Sequence, residues 1–183
     1  MFDRGLTLLP SQCELCRGWD DGLLCRRCRA RHAPLRPRCA RCGLVLGIPA
    51  PSCGACQLEP PPYERTVCAL DYGFPWDRLI VDFKFHRHVE LATPLAVLLG
   101  EAIAREGADA DADPHALVQL VAPVPLAPAR LAERGFNQAW ELARRLTRAI
   151  PRHGERSRAS LRAVPDLLQR VLYTPHQAAL SSV

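Results

Sequence analysis

Between Cys13 and Cys56 the chain carries four C-x2-C pairs: Cys13/Cys16, Cys25/Cys28, Cys39/Cys42 and Cys53/Cys56. Two residues between cysteines allow a tight knuckle that aims both thiolates at one tetrahedral ion, and zinc favours four such soft ligands. CELC and CARC open two similar copies, and CRRC and CGAC close them. An internal repeat implies that each copy is a unit. Consecutive pairing is therefore expected, with Cys13, Cys16, Cys25 and Cys28 around one ion and Cys39, Cys42, Cys53 and Cys56 around the other. An interleaved arrangement, as in cross-braced modules, stays open at this point.

The segment needs the metal to fold. Its large apolar residues are few, chiefly Leu15, Trp19, Leu23, Leu24, Leu35, Leu44, Val45, Leu46 and Ile48. A unit this small cannot bury enough surface to offset chain entropy. A structural zinc site contributes on the order of 10 kcal/mol. With four protein ligands per ion, no position is left for a reactive water, so two structural zinc ions are expected and zinc catalysis is not. Disulfides would require an oxidising compartment. The start, MFDRGLTLLPSQC, has no long apolar run followed by a small-residue cleavage site. No stretch reaches the ~20 apolar residues of a membrane helix. The expectation is a cytoplasmic protein without a membrane span, its thiols reduced. Cys68, in the apolar run RTVCALDYG, reads as a buried and inert thiol; His32, His86 and His88 are not needed as ligands.

Charge is uneven along the 183 residues. Residues 1–60 hold nine arginines against five acids, whereas residues 61–183 hold fifteen basic residues against fourteen acids. The basic excess sits on the cysteine-rich part, where it would attract nucleic acid or simply form a solvated face. Lys84 is the only lysine.

Composition changes at LEPPPYE, residues 58–64, where three prolines form a stiff linker. A zinc module over 1–60 and a second domain over 61–183 are expected. In the second domain the pattern predicts a strand over 66–72, a helix over 76–85 and an amphipathic helix over 89–106. A loop over 107–115, a strand over 116–122, a helix over 135–149 and a short strand near 161–164 follow. Leu91, Leu95, Leu98, Leu99, Ala102 and Ile103 carry the helical spacing of the second helix; Phe136, Trp140, Ala143 and Leu146 would form the buried face of the third. This order predicts an α/β domain with a parallel sheet. APVPLAPARLAERGFNQ would leave the strand over 116–122, turn through prolines and present Arg130 and Arg134 before a helix beginning near Gly135. Arginines beside helix-start amides suit a phosphate or pyrophosphate; an ordinary strand-to-helix connection is the competing reading.

Taken together, CELC…CRRC…CARCG…CGAC, LIVDFKFHRHVELATPLAVLL, APVPLAPARLAERGFNQAWELARRL and LLQRVLYTPHQAALS resemble the ComF family over residues 10–180. The members are bacterial competence-associated proteins with an N-terminal zinc module and a phosphoribosyltransferase-like domain. The resemblance implies a type I phosphoribosyltransferase-like parallel sheet behind a double zinc ribbon. It implies that Pro123 and Pro125 approach a pyrophosphate, with Arg134, Gly135, Asn137 and Gln138 nearby. Arg170, Thr174 and Gln177 would belong to a mobile loop over that site. No catalytic residue is assigned. The diagnostic strand, acid pair and Thr/Gly-rich loop that cradle the ribose phosphate do not occur in the 183 residues, which close with AALSSV. The expectation is a C-terminally truncated member, its sheet incomplete. Phosphoribosyl pyrophosphate with magnesium would then bind only in an intact relative.

Three functions compete on these grounds. One is a phosphoribosyltransferase-like protein of competence and DNA uptake. A second is a zinc-dependent module that binds single-stranded DNA or a competence protein without enzymatic activity. The third is a zinc unit that docks on its own second domain and rigidifies it. Oligomeric state and any acceptor substrate are not encoded in these patterns.

Overall fold

The computed structural model describes residues 10–108, 120–149 and 161–172. The cysteine-rich segment is built twice over. In the first copy β1 (Ser11–Gln12) pairs antiparallel with β2 (Trp19–Asp20) around the first knuckle. In the second copy the bridge Arg38–Val45 occupies the equivalent place. Each knuckle closes with the same turn: Arg17 N donates to Cys13 O at 2.8 Å, and Gly43 N donates to Cys39 O at 2.9 Å. Both closing residues lie in the left-handed region, Arg17 at φ 59° and Gly43 at φ 77°. Each second cysteine pair then opens a short helix, α1 (Arg26–His32) after Cys25 and α2 (Gly54–Leu58) after Cys53. The repeat read from CELC and CARC is thus a repeat of backbone hydrogen bonds.

Helix α3 (Trp76–Phe85) coincides with its predicted span. The predicted helix over 89–106 is a 3-10 turn, Val89–Leu91, that runs into α4 (Ala92–Ala108). The core collects Trp76, Leu79, Phe83, Leu91, Ala92, Leu95 and Leu98, and Leu24 of the zinc module is buried among them. Leu99 and Ile103, expected in the same stripe, are only half-buried. α4 packs along α6 (Gln138–Ala149).

Three expectations are corrected. The strand over 66–72 does not form, and no strand among the described residues faces it. Its polar groups go to the zinc module instead: Thr66 N donates to Ala40 O at 2.9 Å and Thr66 Oγ1 to Arg41 O at 2.5 Å. The proline-rich connection before the last helix contains a helix of its own, α5 (Pro128–Arg134), with Pro128 at its first position. The last helix does not begin near Gly135. Gly135, at φ 78°, terminates α5, and Asn137 caps α6 by accepting from Ala139 N at 2.9 Å and Trp140 N at 3.3 Å. On α6, Ala143 and Leu146 are buried as expected, Trp140 is half-buried and Glu141 is buried; Phe136, expected on the same face, precedes the helix and is half-buried.

Within the described residues β3 (Leu120–Val121) pairs in parallel with β4 (Arg162–Ala163). These two-residue strands lie inside the predicted spans 116–122 and 161–164. The described part of the predicted 107–115 loop is the C-terminal end of α4, and residues 109–115 lie outside the described residues.

Candidate zinc centres and a cationic corner

The thiols gather in the consecutive sets. Cys13, Cys16, Cys25 and Cys28 bring their sulfurs within 4.8 Å of one another, and so do Cys39, Cys42, Cys53 and Cys56. Zinc–sulfur bonds of about 2.3 Å place tetrahedral sulfurs about 3.8 Å apart. Cys16 Sγ to Cys25 Sγ is 3.7 Å and Cys42 Sγ to Cys53 Sγ is 3.8 Å.

Backbone donors polarise these sulfurs. Cys25 N donates to Cys13 Sγ at 3.4 Å, and Cys28 N donates to Cys25 Sγ at 3.3 Å, which makes Cys25 the N-cap of α1. Burial raises the Cys13 thiol, but the N–H groups of Cys25, Cys16 and Leu15 outweigh it and bring it to about 7. The N–H groups of Cys42 and Cys53 bring Cys39 to about 6. Burial and then the neighbouring thiols push Cys56 up to about 12, and burial likewise raises Cys28. The first proton leaves such a cluster easily and the last is held, because four close thiolates repel. A divalent cation removes that repulsion, so the donor set fits zinc. His32, His86 and His88 belong to neither group. His86 Nδ1 lies 2.8 Å from Asp82, and His88 Nδ1 lies 3.2 Å from Glu90.

Cys68 is half-buried in an irregular segment, its thiol 3.9 Å from Gly43 O. A Cβ on Gly43 would overlap Cys68 Sγ and stand 3.2 Å from Thr66 Cγ2. The second knuckle is therefore roofed by residues 66–68.

The residues named by resemblance meet at another corner. Asn137 Nδ2 donates to Val124 O at 3.3 Å, and Arg170 Nε donates to Pro125 O at 3.1 Å. The Pro123–Pro125 segment is thereby held between the start of α6 and the chain after β4. Arg134 stacks its guanidinium 4.6 Å from the ring centre of Phe85, at the end of α3. Among the described residues, Arg134 Nε and Gln138 Oε1 are buried without a hydrogen-bond partner. Lys84 is lowered from its ordinary value by burial and then by the charge of Arg134. Thr174 and Gln177 lie outside the described residues. Lys84 and Phe85 were missed as site residues, although their helix was predicted. The uniqueness of Lys84 in an arginine-rich chain was the available signal. A cleft of about 270 Å³ between α1 and α4, lined by Arg29, Arg38, Cys68, Leu98 and Glu101 among others, contains none of these residues.

The two four-cysteine clusters fit a double zinc ribbon, here joined to a mixed helical and strand-containing second part. The chain belongs to the ComF family: it is 30% identical over 176 residues to Competence protein F of Haemophilus influenzae, covering 93% of this chain and 70% of that protein. It is also 35% identical over 141 residues to the DNA utilization protein YhgH of Salmonella typhi, across 73% of this chain and 59% of the relative. Against YhgH of Escherichia coli K12 the identity is 33% over 150 residues, 78% of this chain and 63% of the relative. The matched region is thus about three-fifths of the length of the YhgH relatives. No family model and no solved structure matches the chain. No helix among the described residues is long and apolar enough to cross a membrane.

Proposed function

We propose that this chain is a cytoplasmic, phosphoribosyltransferase-like protein of DNA handling, in which two structural zinc ions hold the N-terminal module against the helices. Relatives named for competence and for DNA utilization support the first part. The observation that carries the phosphoribosyltransferase-like reading is the corner around Arg134. A guanidinium Nε–H and an amide oxygen are buried there without partners, beside a lysine whose charge is disfavoured. A sugar phosphate supplies what both lack, namely acceptor oxygens for Arg134 and Lys84 and hydroxyl donors for Gln138. In an intact phosphoribosyltransferase such a corner would hold the pyrophosphate as it leaves the anomeric carbon.

Residues 1–183 by themselves do not retain phosphoribosyl pyrophosphate, because they lack the acid pair and Thr/Gly-rich loop that would hold the ribose phosphate. Calorimetric titration with magnesium present tests this. No saturable heat is expected from residues 1–183. Binding is expected from a chimera that adds the acid-pair segment, and Arg134→Gln should weaken it at least ~10-fold. Tight binding by residues 1–183 themselves would overturn the claim.

A second reading, binding of single-stranded DNA through the zinc module without enzymatic activity, is favoured by one observation. Arg26, Arg27 and Arg31 of α1 are exposed, and the helix carries no acid in its first turn.

A further inference from the structure

The zinc module itself has few aromatic side chains to offer a nucleic-acid base, with Trp19 and Tyr63 the exposed ones near it. The structure supplies others from outside. The loop before α3 leaves Tyr72 73% exposed and Phe74 85% exposed. Large apolar rings at such exposure, two residues apart, are what a partner surface presents.

Phe74 is not adrift. Gly73 O accepts from Trp76 N at 2.8 Å and Asp77 N at 3.0 Å, closing a turn with Phe74 at its tip. The Trp76 ring is buried 2% exposed in the core, and its Nε1 donates to His32 O at 2.6 Å. His32 ends α1, and its ring meets the ring of Phe74 edge-on at 6.4 Å. The aromatic turn is thus fastened to the C-terminal end of the arginine helix.

Charge completes the surface. Of the α1 arginines, Arg29 faces inward to Glu101. Arg27 and Arg31, one helical turn apart, are exposed on the same side of α1. Asp71, next to Tyr72, is already paired with Arg36 and Arg38, so it does not oppose an incoming anion. Exposed rings on a turn fastened to a helix with exposed arginines match single-stranded nucleic acid, whose unpaired bases stack and whose phosphates need cations. A duplex hides its base faces and would gain only the charge term.

We propose that Tyr72 and Phe74, with Arg27 and Arg31 of α1, form a stacking platform for single-stranded nucleic acid across the seam between the zinc module and the helices. This rests on the second reading above and adds to it where the bases sit. The residues lie outside the Arg134 corner and are not zinc ligands. The Phe74 ring is held against His32 before binding, so little ordering entropy opposes its use.

The test is fluorescence-anisotropy titration of the zinc-loaded chain with labelled oligodeoxythymidine at several salt concentrations, with duplex of the same length for comparison. Tyr72→Ala/Phe74→Ala should weaken single-strand binding by about 10-fold or more, since stacking of bases on aromatic rings carries much of such affinity. Arg27→Gln/Arg31→Gln should flatten the dependence of log affinity on log salt by ~1.4, from about 0.7 per phosphate contact. All four side chains are exposed, and unchanged zinc content checks that the variants fold. If the parent chain binds and the aromatic variant binds equally well, the platform falls while DNA binding by the module stands. If the parent chain does not bind, or prefers duplex, both fall.

Discussion

Arg17 and Gly43 occupy the same turn in the two zinc knuckles, yet the sequence does not treat them alike. Both adopt positive φ. Arg17 faces solvent and pairs with Glu14 at 2.7 Å, so a side chain is tolerated at the price of about 1 kcal/mol of backbone strain. Gly43 is roofed by Cys68 and Thr66, so a side chain would meet both the strain and the roof. Gly43→Ala is expected to destabilise the fold by about 1–3 kcal/mol and to speed zinc release from the second site to a chelator. Arg17→Ala, measured the same way, should change either quantity little. The cysteines were legible because metal geometry restricts their spacing. The glycine's special role was not, because it arises from Thr66 and Cys68, which lie beyond the proline run.

At the scale of elements, α6 is held to α4 by apolar packing and one charged cluster. Glu141 is buried and accepts from Arg144 Nε at 2.9 Å and from Arg145, while Arg145 Nε also donates to Thr93 Oγ1 at 3.0 Å. Burial raises the Glu141 carboxyl, but the hydrogen bonds and charges of the two arginines outweigh it and leave it below its ordinary value. A carboxylate lowered on folding adds stability above its unfolded value, near 4.3, and loses that contribution as pH falls through the lower folded value. Glu141→Gln should therefore cost about 1–3 kcal/mol near pH 7. The melting temperatures of parent and variant should draw together as pH falls below the unfolded carboxyl value near 4.3, and comparing the two at each pH cancels the acid release of zinc common to both. α3, α4 and part of the core face of α6 (Ala143 and Leu146) were readable from apolar periodicity, which depends on neighbours three and four residues away. α5 was not, because its proline and two arginines carry no apolar stripe. The absent strand over 66–72 had the right residues but no partner strand among the described residues, and pairing is not a local property.

The whole molecule has no sharp border between metal-built and hydrophobically built parts. Leu24 sits in the core of Trp76, Phe83 and Leu95, and Arg29 of α1 reaches Glu101 of α4. Stripping zinc is expected to remove the first knuckle, and with it the position of Leu24 in that core. Differential scanning calorimetry should show the transition of the entire chain moving down on chelation, without a zinc-independent second peak. Two zinc ions per chain are expected before chelation; one ion would contradict the consecutive pairing. The roof over Gly43 has a practical consequence for anyone wishing to transplant the module. Thr66 closes the second copy by its bonds to Ala40 and Arg41, so a graft cut at the prolines would arrive uncapped. A portable unit has to carry the chain through Cys68, and the stretch after the prolines then travels with the metal sites as their lid.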